Sequence, residues 1–123
     1  MVQSIFMVGI GGFVGSVLRY LISHYMSINT QTVFPLGTFV VNLAGSLLIG
    51  MIIAASLNDD LSQQLRLLLA TGFCGGFTTF SSFSYEFFSL LQNGYNGYAF
   101  LYAGASLALG LLFVWFGFML TRM

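Results

Sequence analysis

Apolar residues run along the chain in four stretches separated by short polar ones, and each stretch is about as long as the roughly 20 residues a helix needs to cross hydrocarbon. The first covers about Ile5 to Ile22 and carries small residues at helical spacing, Gly11 with Gly15 and Gly12 with Ser16. Such pairs let another helix approach closely. The segment ends at Arg19-Tyr20, and a polar loop is expected from Ser23 to Thr32, with His24 inside it and Pro35 opening the next helix.

The second stretch, about Leu36 to Leu57, is apolar apart from Thr38, Asn42 and Ser46, which recur every fourth residue and share one helix face. After Asn58-Asp59-Asp60-Leu61-Ser62-Gln63, where Asp60 and Gln63 have capping-box spacing, a third stretch runs from Leu65 to Leu91. It would be roughly 40 Å long as one helix, more than the hydrocarbon core requires. Within it lies GFCGGFTTFSSFSYE (72 to 86), rich in glycine and hydroxyls. Backbone that leaves the helix inside a membrane must be buried in protein or line a wet cavity. A break near Gly75 to Thr79, with the helix restarting after Gly75-Gly76, therefore marks a candidate site. Two Asn-Gly turns between Gln92 and Gly97 precede the fourth stretch, Tyr98 to Leu120, on which Tyr102, Ser106 and Gly110 share a face.

Composition strengthens this picture. Of 123 residues 58% are hydrophobic and 5% charged, against about 25% charged in a soluble domain. The chain is expected to be an all-α integral membrane protein forming one four-helix domain over residues 1–123. Lysine is absent and the net charge is zero, so the basic footprint that nucleic acid requires is missing. Met1 to Ser4 contain no basic n-region and no A-x-A-like site follows, so the first stretch is read as retained. Arg19 stands on one side of a four-span layout and Arg66 and Arg122 on the other. That charge bias is too small to fix orientation, which permits insertion both ways and an antiparallel pairing of two copies.

Candidate chemistry is sparse. Asp59 and Asp60 read as solvated loop residues, Cys74 as a small buried filler, and Arg19 as a side chain snorkelling from a helix end. No His/Cys metal spacing, G-x-S-x-G or Walker motif is present, so an enzyme is not expected. A proton-coupled carrier of the small multidrug type shares the four-span format, but the first helix has no carboxylate for a relay, and Glu86 lies past the break. A passive pore fits better. Hydroxyls at Thr79, Ser81, Ser82 and Ser84, a restarted helix, and the ring edges of Phe80 and Phe83 can all hold an anion. Carbonyls freed before the restart can hold a cation. Read alone, Asn42 serves either a helix–helix hydrogen bond or a pore, and Tyr102 and Ser106 serve either interhelical bonding or an ion path.

GGFVGSVLRY (11 to 20), GTFVVNLAGS (37 to 46) and GFCGGFTTFSSFSYE (72 to 86), in that order, resemble the bacterial Fluc/CrcB fluoride channel family. The resemblance implies an antiparallel dual-topology homodimer in the bacterial inner membrane, with two pores for passive, selective fluoride export and a structural Na⁺ at the breaks of the two subunits. By motif, Phe80 and Phe83 match the family's phenylalanine box and Asn42 its pore asparagine. Thr38, Ser81 and Ser82 match polar pore positions, and Tyr102 and Ser106 a polar track on the fourth helix. Gly75 and Thr78 match the positions whose carbonyls hold Na⁺, and Arg19 matches the arginine that closes the first motif. Two positions depart from the pattern. Ser82 stands where threonine is expected, and Gly110 stands where a hydroxyl would extend the track.

Overall fold

The computed structural model describes residues 1–58 and 61–122, and they form helices joined by short connections. The readings placed on Asp59 and Asp60 fall outside these residues. Helix α1 spans Val2–Asn29, α2 Leu36–Leu57, and α3 Gln63–Arg66. A π-helical stretch, Leu67–Cys74, continues α3 and leads into α4, Gly75–Phe77. Helix α5 spans Phe80–Gln92 and α6 spans Asn96–Arg122. Three of these, α1, α2 and α6, are long and apolar enough to cross a membrane.

The helix ends follow from local chemistry. Helix α1 runs seven residues past Ile22, so His24 is helical and the loop expected from Ser23 begins only after Asn29. The polar residues prolong the helix because their side chains bond its carbonyls. Ser27 Oγ donates to His24 O at 2.8 Å and Asn29 Nδ2 to Tyr25 O at 2.9 Å. At its rise of 1.5 Å per residue, α1 is roughly 42 Å long, enough to cross hydrocarbon and carry two more turns beyond it. Pro35 is the N-cap of α2. Helix α3 is capped by Ser62, whose Oγ accepts from Leu65 N–H at 3.1 Å.

Helix α5 ends in a Schellman arrangement: Tyr95 N–H bonds Leu90 O at 2.8 Å and Gly94 N–H bonds Leu91 O at 3.2 Å. Gly94 sits at φ 82°, the left-handed conformation this cap requires. Of the two Asn-Gly pairs only Asn93-Gly94 turns the chain. Asn96 and Gly97 lie in the first turn of α6.

Packing is organised by small residues. Gly11 and Gly15 of α1 face the run from Leu68 to Phe77, and a Cβ on either would overlap a carbonyl oxygen, that of Leu68 or of Phe73. The second small pair, Gly12 and Ser16, meets Gly76 in the same seam. Helix α2 packs most extensively on α6. There Gly50 abuts the Val114 carbonyl and Gly117 the Leu47 carbonyl, so each helix brings a glycine to the other's backbone. An aromatic cluster closes one end: Tyr102, Leu90 and Ala99 are buried among Phe34, Phe39, Phe83, Phe87 and Leu91. Elsewhere α1 and α6 turn large apolar side chains outward, among them Phe13, Leu107 and Leu111, as surfaces facing lipid or another apolar chain do.

Candidate functional site

Between Phe77 and Phe80 the chain leaves the helix for two residues. Thr78 is extended at φ −85°, ψ 157° and Thr79 at φ −149°, ψ 127°. The glycines expected to cause the break are instead helical, Gly75 at φ −63°, ψ −36°. Gly76 serves a different need: a Cβ there would lie 2.7 Å from Gly12 O, so its lack of a side chain admits α1. The helix therefore restarts after Thr79 and not after Gly75-Gly76. Upstream, Gly75 N–H donates to Ala70 O five residues back, the wide turn of π-helix that is frequent at functional sites.

Both threonine hydroxyls of the interruption and the Thr79 peptide take specific partners. Asn42 grips Thr79 twice: its Nδ2 donates to Thr79 O at 3.1 Å, and its Oδ1 accepts from Thr79 N–H at 2.9 Å. Thr79 Oγ1 caps α5 by accepting from Ser82 N–H at 3.2 Å, and it shares a hydrogen bond with Ser81 Oγ at 3.2 Å. Thr78 Oγ1 donates to Cys74 O at 2.8 Å. These substitutions release two carbonyls. The Thr79 amide that would close a helical bond onto Gly75 O goes to Asn42, and the Ser82 amide that would close onto Thr78 O goes to Thr79 Oγ1. Arg19 does not snorkel away from this region. Its Nε donates to Gly76 O at 3.1 Å, one residue from a released carbonyl.

Beside the interruption opens a cavity of about 710 Å³, bounded by α2, the 70–80 run, α5 and α6. Asn42, Ser46, Gly75, Thr78, Phe80, Phe83 and Ser106 contribute to its wall, and no arginine does. Ser106 Oγ is buried without a hydrogen-bond partner. The two phenylalanines have different surroundings. Phe80 is 79% exposed, whereas the Phe83 ring packs on Tyr102 at 5.0 Å between centroids. Their own rings are 6.0 Å apart.

Thr38 and Tyr102 lie outside that wall and form a second group with Glu86, which is helical in α5 and only partly exposed. Thr38 Oγ1 donates to Glu86 Oε2 at 3.0 Å and Tyr102 Oη to Glu86 Oε1 at 3.1 Å. Tyr102 is 0% and Thr38 5% exposed, so the carboxylate is held inside the fold by two buried hydroxyls. The polar stripe of α2 thus serves three partners in turn: Thr38 meets Glu86, Asn42 meets Thr79, and Ser46 reaches the cavity. Of the residues named from sequence, Asn42, Ser106, Phe80, Phe83, Gly75 and Thr78 come together, Thr38 pairs with Tyr102 through Glu86, Ser81 and Ser82 flank Thr79, and Arg19 stands behind α4. Glu86 and Gly45 were not assigned roles there, and Thr79 was read as an anion-holding hydroxyl and not as a helix cap. A mid-span carboxylate signals function by default, and a threonine directly before an apolar helix is a cap signal, so two of the three were readable.

Among the described residues no group of three or more His, Cys, Asp or Glu gathers to hold a metal. Three long apolar helices, with a cavity among the helices, define a polytopic helical membrane protein. The sequence profile described as CrcB-like protein, Camphor Resistance (CrcB), matches residues 6–118. The chain belongs to the CrcB-like family. It is 49% identical over 121 residues to a protein of Chlorobium phaeobacteroides (strain BS1) named fluoride-specific ion channel FluC, an alignment covering 98% of this chain and 94% of that one. A protein of the same name from Prosthecochloris aestuarii is 50% identical over 98% of this chain and 94% of its own. One from Thermus thermophilus is 47% identical over 97% and 94%.

Proposed function

We propose that this chain is a passive, fluoride-selective ion channel that lets F⁻ leave the cytoplasm down its electrochemical gradient. The single observation that carries the reading is the cavity beside Thr78–Thr79. Its wall combines an amide, an unpartnered hydroxyl and phenylalanine rings and contains no cationic side chain. Fluoride is a compact, strongly hydrated anion, so a pore must replace its water with donors yet release it again. Neutral donors and ring edges meet both demands, whereas a guanidinium at the same place would hold the ion too long. Relatives that match nearly the whole chain at about half identity carry a channel's name, not an enzyme's.

On this reading fluoride passes Asn42, Ser106 and the edges of Phe80 and Phe83, with Ser81 and Ser82 as hydroxyl donors beside the rings. Further along, Thr38 and Tyr102 already spend their protons on Glu86. An arriving anion competes with that carboxylate for the same two hydroxyls, which keeps binding there weak enough for release. The 63–92 run is one membrane span in two pieces, and two chains pair antiparallel in the inner membrane to give two pores. The exposed ring of Phe80 and the outward apolar faces of α1 and α6 support a second copy.

A structural Na⁺ belongs to the same reading, and the donor set fits it. The carbonyls of Gly75 and Thr78, released from helical bonding, are neutral hard oxygens of the kind unwound membrane helices offer to Na⁺. Bound there, the ion would balance those carbonyl dipoles and tie the two breaks of a dimer together. The chain's own part is to keep both oxygens free, which Asn42 and Thr79 do by taking the amides that would otherwise close on them.

The test is efflux from fluoride-loaded proteoliposomes, followed with a fluoride electrode. Rapid release that follows an imposed membrane potential is expected. Slow transport that follows a pH gradient and ignores voltage would replace the channel with a proton-coupled carrier built on Glu86.

A further inference from the structure

Beyond the Thr79 cap, the interruption has little cause in its own sequence. It contains no proline, its preceding glycines are helical, and both extended residues are threonines that helices accept with little penalty. Something outside the segment must hold Thr78 and Thr79 open, and α2 is the element that touches both.

Two residues of α2, three apart and so neighbours on one face, each engage one of them. The Asn42 carboxamide bonds the N–H and the C=O of Thr79 together, at 2.9 and 3.1 Å, pairing with that residue as a strand would. It supplies the partners Thr79 forfeits on leaving the helix, groups that would be costly to leave unpaired in an apolar setting. Gly45 engages Thr78 by shape. A Cβ at position 45 would overlap the Thr78 Cγ2 methyl, and Phe77 Cδ2 would be 3.5 Å away. Thr78 cannot swing clear without losing the bond from its Oγ1 to Cys74 O at 2.8 Å. Thr78 therefore has one seat, and that seat exists only where residue 45 has no side chain.

We propose that Asn42 and Gly45 are positioning residues: together they form a template on α2 that sets the geometry of the Thr78–Thr79 interruption, and through the Thr79 cap the direction in which α5 presents Phe80 and Phe83. The inference rests on the fluoride-channel reading for its functional consequence. Asn42 has a second amide hydrogen that the Thr79 bonds leave unused, so positioning does not bar it from touching an ion. The template explains why an asparagine and a glycine share this face: one satisfies the peptide of the first residue of the cap, and the other makes room for the methyl before it. A site that discriminates a small ion needs its groups held to within about 0.5 Å, and a template on a rigid helix provides that.

The test is a double-mutant cycle in the full-length protein. Gly45→Ala is expected to lower fluoride efflux per folded protein by at least about tenfold, because a displacement near 1 Å is enough to spoil a preorganised site. Thr78→Ser removes Cγ2, keeps the Oγ bond to Cys74 and sets the reference flux for the cycle, whatever its level. The double variant Gly45→Ala/Thr78→Ser should then recover to within about threefold of Thr78→Ser alone, the signature of coupled neighbours. A double variant as poor as Gly45→Ala overturns the steric half of the proposal.

Asn42→Ala provides an independent arm, readable even if Gly45→Ala does not fold. Amide exchange at Thr79 should accelerate while amides in the α2–α6 seam stay protected. Lost flux with Thr79 exchange unchanged overturns the positioning role and leaves Asn42 as an ion contact only. Wild-type protein without fluoride efflux removes the channel reading, and in that event Thr79 exchange and the Gly45/Thr78 coupling in melting temperature still decide whether the template exists.

Discussion

Helix α2 is two different structures in one. Its C-terminal half, from Leu47 to Ala54, meets α6 through glycines: Gly50 lies on the Val114 carbonyl and Gly117 on that of Leu47. Its N-terminal half, from Thr38 to Ser46, meets the interrupted segment through hydrogen bonds, with Gly45 in the same small-residue role. The first contact is backbone against backbone, which in lipid gains mainly from close packing. The second places an amide and hydroxyls where backbone has left the helix, and each polar group there has a specific partner or faces the cavity. Close approach is common to both halves. Only the half that borders non-helical backbone also carries polar side chains, which is the physical mark of a site as opposed to a seam.

Substitutions at the two halves should separate along the same line. The largest effect is expected from Phe83→Ile and Phe80→Ile, each of which should abolish fluoride efflux while the folded protein survives purification. Phe80 is 79% exposed within the chain, so lost flux there could not be put down to a collapsed core of the single chain. Flux retained in both would return these rings to packing and dissolve the contrast.

Gly50→Ala and Gly117→Ala test the seam. Each is expected to cost roughly 1–3 kcal/mol of stability by overpacking, seen as a lower melting temperature in detergent, with fluoride selectivity unchanged per folded protein. Altered selectivity would mean the seam shapes the pore after all.

Glu86→Gln sharpens the site half. Glutamine keeps one acceptor for the hydroxyls of Thr38 and Tyr102 and loses the charge, so voltage-driven flux should stay within about tenfold of wild type, the worth of one hydrogen bond. Outright loss of transport would favour a proton-coupled carrier, which needs the carboxylate.

The smallest effects come from two helix caps of like chemistry. Thr79→Ala and Ser62→Ala should each cost about 1 kcal/mol on thermal unfolding, and only Thr79→Ala should slow efflux, because only that cap starts the helix bearing the phenylalanines. Equal flux in the two variants would show that α5 is aimed by something other than its cap.

What the amino-acid pattern determined by itself was the set of apolar segments, the small-residue pairs that bring helices together, and the polar stripe of Thr38, Asn42 and Ser46. These are matters of period and volume, which a helix fixes locally. The composition of residues 72–86 also marked the region of the interruption. Tertiary structure decided where it falls. Glycine-rich composition pointed to Gly75-Gly76, yet both residues stay helical, the smallness of Gly76 serves contact with α1, and the extended residues are Thr78 and Thr79. The Thr79 peptide is bonded by Asn42, 37 positions away in sequence, and Glu86 finds its hydroxyl partners 48 and 16 residues away. Periodicity tells which residues share a face, and it is silent on which neighbour that face will meet. The interruption and its carboxylate are products of such meetings, so only the folded chain could place them.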